Sequence, residues 1–164
     1  WHQDLRPNVI EGYDFVSGDL DTDTSPGRDS DPTDPGNAIG GSVYHGTHVA
    51  GIVGSSDDAV PGVAPGVDLV AVRVADNSGA IMSPDVLGAL NWVLTVAEPH
   101  NIVAVNLSLG TDVDPGPCRN VAWEAAIAAL ADAAVEHVET FDSPNVRHDH
   151  RASRRELRDA SVAS

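Results

Sequence analysis

Lysine is absent from this chain of 164 residues, which also holds only one cysteine, one methionine, three Trp, two Tyr and two Phe. The single thiol, Cys118, excludes an intrachain disulfide framework. It follows the loop Pro115-Gly116-Pro117 and reads as a structural cysteine rather than a low-pKa catalytic thiol. Nine Arg stand against 25 Asp and Glu, giving a formal net charge of −16. A phosphate backbone would be repelled by that charge, so nucleic acid is excluded as a partner. No apolar run reaches bilayer length, and a membrane partner is excluded on the same footing. The chain opens on Trp1 rather than Met, which leaves room for a signal peptide or pro-segment in a longer precursor.

What is present is enough apolar residue for one domain with its own core, 41% of the chain. Gly12 to Phe15 is a short strand candidate. Ser17 to Ser42 is rich in Asp, Pro, Gly, Ser and Thr and reads as a long surface loop. Val49, Ile52 and Val53 then have helical spacing. Val67 to Val74 is an apolar, β-branched run that reads as a strand buried on both faces, and Asp76 to Gly79 as a turn. Ser83-Pro84-Asp85 opens a helix with a capping hydroxyl, a proline in the first turn and a carboxylate at the positive end. Its apolar stripe (Val86, Leu87, Leu90, Val93, Leu94, Ala97) runs on to Pro99. Ile102 to Leu107 is a second buried strand, and Val121 to Ala133 a third helix. Helices alternating with strands predict an α/β domain with a parallel sheet and helices on both faces.

Residues 134–164 differ in character. From Glu136 on they hold five of the nine Arg, three of the seven His and almost no apolar periodicity. The stretch begins where one more buried strand is expected, and neither that strand nor the turn after it can be read. It is expected to be a disordered or frame-altered tail.

The chemistry centres on His45-Gly46-Thr47-His48. A His opening a helix after a polar loop sits at the mouth of a sheet, and Gly46 and Gly51 let a backbone or substrate approach. The residues alone leave open a pair of helix-capping or core histidines. The zinc-peptidase motif spaces its two His four apart with Glu beside the first, and that Glu is missing. The whole stretch HGTHVAGIVG (His45 to Gly54) resembles the histidine motif of the subtilisin-like serine peptidases, the subtilases. His2-Gln3-Asp4-Leu5 resembles the family's HPDL segment, Pro61 to Pro65 its GVAP turn, and Val105 to Gly110 its INMSLG strand. Order and spacing match from His2 to about Ala133.

The resemblance implies a three-layer subtilisin-like α/β fold, incomplete here, with residues 1–133 a partial peptidase domain. It implies that His45 is the general base of a Ser-His-Asp triad and that His48 is structural. It also implies that Ser108, Leu109 and Gly110 line one edge of the substrate cleft and Asn77, Ser78 and Gly79 the other. An extended peptide would lie between them as an added strand. The partner implied is a peptide or protein substrate, the oligomeric state a monomer, and the compartment extracellular. Triad chemistry requires no cofactor. The family's catalytic Asp precedes the HPDL segment, its oxyanion Asn follows the strand after Ala133, and its nucleophile lies in a GTSMA-type segment. None of these has a counterpart here, so the chain as it stands is expected to be inactive, with a non-catalytic peptide-binding or calcium-binding module as the alternative. Calcium enters through Asp19, Asp21 and Asp23, whose density of hard oxygen ligands suits the ion. Thr24 stands where an EF-hand needs glycine and no Glu closes the loop. A solvated loop and a calcium site both stay open.

Overall fold

A computed structural model describes residues 2–18, 27–34, 44–109, 121–133 and 137–140. Its elements run β1 (Val9–Asp14), α1 (His45–Gly54), β2 (Leu69–Arg73), α2 (Ser83–Val96), β3 (Ala104–Leu107), α3 (Val121–Asp132) and β4 (His137–Thr140). The chain divides into two units, Trp1–Ala89 and Leu90–Ser164, with the boundary inside α2.

In the first unit, β1 pairs parallel with β2, with Gly12 opposite Ala71 and Asp14 opposite Arg73. Parallel neighbours need a crossover, and α1 lies in that connection, as the alternating pattern predicts. The turn after α1 meets the helix's otherwise unpaired last carbonyls. Gly62 donates its amide to Ser55 at 2.9 Å, Val63 to Ile52 at 2.9 Å and Ala64 to Val53 at 2.8 Å. Only glycine fits at Gly62, because a Cβ there would stand 2.5 Å from the Ser55 nitrogen. Asn8 fastens the same corner, its side-chain amide donating to the carbonyls of Gly54 and Pro65, each at 2.8 Å. The buried apolar residues of this unit are Leu5, Phe15, Val16, Val86 and Ala89.

Part of the expected surface loop is tied down. Asp29 forms an antiparallel bridge with Asp14, exchanging backbone hydrogen bonds of 2.8 and 3.2 Å. Arg28 donates to the Phe15 carbonyl and to Asp85 and lies 5.7 Å from the centre of the Phe15 ring.

In the second unit, the end of α2 is turned by Asn101 in the left-handed region (φ 50°), and the Ile102 amide returns to the Ala97 carbonyl. The buried apolar residues are Leu90, Val93, Ala97, Ala126 and Leu130. The β3 strand pairs parallel with β4, Ala104 opposite His137 and Leu107 opposite Thr140, with α3 in the crossover.

Two expectations are corrected. Neither β2 nor β3 is buried on both faces: Leu69 to Val72 are half-buried, and β3 alternates between exposed and half-buried. Each belongs to a two-stranded ladder among the described residues, too narrow to bury a strand fully. The region after Ala133 does contain a strand. His137–Thr140 carries no continuous apolar run, but its ladder is made by backbone groups, and β-branched Val138 and Thr140 suit extended backbone. The remainder of residues 134–164 lies outside the described residues.

Candidate active site

His45 is the first residue of α1, and its side chain is exposed. Tyr44 before it takes the left-handed conformation (φ 56°), and its carbonyl accepts the His48 amide at 2.9 Å, so the chain turns sharply into the helix. His48 is also exposed, one helical turn on. No group of three or more potential metal ligands occurs among the described residues. Asp19, Asp21 and Asp23 lie outside them.

Asn77, Ser78 and Gly79 form the tip of a hairpin whose arms meet in an antiparallel bridge between Ala75 and Ile81. Asp76 organises the tip. Its Oδ1 accepts the amides of Ser78 (2.8 Å) and Ala80 (3.0 Å) and the Ser78 hydroxyl (2.6 Å). Gly79 has a φ of 81°, where a side chain would be strained, and its amide returns to the Asp76 carbonyl at 2.9 Å. Burial raises the Asp76 pKa, but the hydrogen bonds from Ser78 and Ala80 and the nearby Arg73 charge outweigh it and lower the carboxyl below its usual range.

Ser108 and Leu109 follow β3 in the second unit and are half-buried. The Ser108 hydroxyl and the Asn106 side-chain amide bond each other, at 2.9 Å from Asn106 Nδ2 and 3.2 Å to its Oδ1. Gly110 lies outside the described residues. His45 and the hairpin thus belong to one unit, Ser108 and Leu109 to the other.

Two charged networks escaped the sequence. Asp14, fully buried, pairs with Arg73 at 2.8 Å, and Arg73 reaches Asn77 in the hairpin at 3.0 Å. The signal for it was an acid at the end of one strand and a base at the end of the other. Asp85, read as a helix-end carboxylate, is 2% exposed and accepts from Arg28 at 2.8 Å and from the Ser17 hydroxyl and amide. Burial raises its pKa, and the hydrogen bonds from Arg28 and Ser17 more than reverse that.

The helix that begins at His45, the turn sealing its end and the parallel strands around it are matched by known proteins. The model of the subtilase family matches residues 2–140, most of the chain. The chain belongs to the subtilase family. It is 33% identical over 138 residues to a thermophilic serine proteinase of Bacillus sp. (strain AK1), covering 80% of this chain and 29% of that protein. An extracellular protease of Xanthomonas campestris pv. campestris is 35% identical over 150 residues, covering 79% of this chain and 25% of that protein. A solved protease from Pseudoalteromonas arctica superposes with a TM-score of 0.69 at 29% identity, over 84% of this chain and 45% of its own. The fold is therefore subtilisin-like α/β, and the chain spans between a quarter and a half of these relatives. No helix among the described residues is long and apolar enough to cross a membrane.

Proposed function

We propose that this chain is the histidine-bearing part of a secreted serine endopeptidase, with His45 the general base of its triad. In that role the imidazole takes the proton of the attacking serine hydroxyl and returns it to the leaving amine. The hairpin at Asn77–Gly79 offers a backbone edge on which an extended peptide is held as an added strand, and likeness to the family makes Ser108, Leu109 and Gly110 substrate-binding residues as well. The observation that carries the proposal is an exposed His45 opening α1 within a family match that runs on both sides of it. Secretion rests on relatives such as the Xanthomonas extracellular protease.

The 164-residue chain by itself holds the base without a recognisable nucleophile segment. In subtilisin, where it has been measured, loss of the nucleophile alone lowers turnover on the order of a million-fold. Incubation with a fluorophosphonate probe is expected to leave this chain unlabelled, and stoichiometric labelling of any serine would overturn its inactivity. In a protein that joins this chain to Asp- and Ser-bearing segments, His45→Ala should abolish peptide hydrolysis with folding intact. Full activity of that variant would remove His45 from the role of base.

A further inference from the structure

The buried ion pair between β1 and β2 has no part in proton transfer, yet it reaches the proposed substrate edge. Asp14 is held from both sides: its Oδ1 accepts the Val16 amide at 2.7 Å and its Oδ2 the Arg73 Nη1 at 2.8 Å. Among the described residues the guanidinium also reaches three further acceptors. Nη2 donates to Asn77 Oδ1 at 3.0 Å, Nε to the Ala75 carbonyl at 3.3 Å, and Nη1 to the Thr33 carbonyl at 3.4 Å. A planar fork with fixed N–H directions can hold several segments in one arrangement, whereas a lysine ammonium cannot reproduce it.

The hairpin is closed internally by Asp76, so it is a preformed unit. Its placement over the end of β2 is a separate matter, and Arg73 grips it at Ala75 and at Asn77. We infer that Arg73 is a positioning residue for the substrate edge, acting through Asn77 and anchored by Asp14. Arg73 itself is 8% exposed and is not placed to meet a peptide. With the Asn77 side chain committed to the guanidinium, what Asn77–Gly79 present to an incoming strand is backbone at a fixed height. The role rests on these three residues forming a substrate edge, as proposed above.

The test titrates the intact 164-residue chain, ¹⁵N-labelled, with a blocked tetrapeptide that has an apolar last residue. Peptide addition should shift the amides of residues 77–79. Asn77→Ala, which leaves the Asp14–Arg73 pair intact, should weaken binding about tenfold while the melting temperature falls by no more than about 5 °C, since one bond from a buried charged donor is lost and the fold is otherwise kept. Asn77→Asp, which still accepts from Arg73, should bind within about twofold of the parent. Arg73→Lys should resemble Asn77→Ala; should it fail to fold, the two Asn77 variants decide. If the 77–79 amides shift but Asn77→Ala binds as tightly as the parent, the positioning role is overturned and the substrate edge stands. If those amides do not move, the edge is refuted and the positioning role falls with it.

Discussion

Replacing Asp14 with alanine removes the carboxylate that faces the Arg73 guanidinium. Asp14 is 0% and Arg73 8% exposed, so the small values measured for solvent-screened surface pairs do not apply. Breaking a buried pair by deleting one partner costs about 3–5 kcal/mol, because the desolvated charge that remains loses a partner that water does not replace. The Val16 amide also loses its 2.7 Å acceptor. Against a total stability of about 5–15 kcal/mol for a typical domain, this is a large fraction. In urea, followed by far-UV circular dichroism, the midpoint should fall by about 2 M for a slope near 2 kcal/mol per M. The double variant Asp14→Leu/Arg73→Met removes both charges, and most of the loss should then be recovered. A midpoint shift for Asp14→Ala below about 0.3 M would refute the reasoning, since it would mean the guanidinium is solvated or satisfied elsewhere.

Acid should act through Asp76 and Asp85, whose pKa values are held below their unfolded values. As pH falls below about 4 the unfolded chain takes up these protons first, so stability present at neutral pH is lost down through the folded values. Asp85→Asn should flatten that part of a stability-against-pH curve, and an unaltered acid slope would show that Asp85 carries none of it. Gly62→Ala places a methyl 2.5 Å from the Ser55 nitrogen and 2.7 Å from the Gly54 nitrogen, both backbone atoms. It should destabilise by about 1–3 kcal/mol in thermal or urea unfolding, and a neutral effect would mean that the turn does not seal α1. His45→Ala, at an exposed position, should change stability by no more than about 0.5 kcal/mol, read by the same unfolding curves.

The elements legible in advance were those with local signals. Ser83-Pro84-Asp85 marked the start of α2, and of its stripe Val86, Leu90, Val93 and Ala97 are buried while Leu87 and Leu94 are half-buried. The turn at Asp76–Gly79 was legible from its residue types, though not the carboxylate that closes it. The extent of burial was not legible. An apolar run such as Val67 to Val74 shows that a strand suits a partly covered surface, and its neighbours decide how much is covered. Strand β4 was missed because a parallel ladder is made by backbone groups, and His137–Thr140 has no apolar pattern to announce it.

The amino-acid sequence by itself determined the family, through HGTHVAGIVG and the segments ordered around it, and placed His45 at a helix start. Helix starts, turns and motif residues are set within a few neighbours along the chain, so they can be read one segment at a time. Only the tertiary structure decided that Asp14 and Arg73, 59 positions apart, share one buried ion pair, and that Arg73 extends it to the hairpin at Asn77. That outcome depends on the parallel register that sets Asp14 opposite Arg73 across the α1 crossover, which no single stretch of sequence encodes.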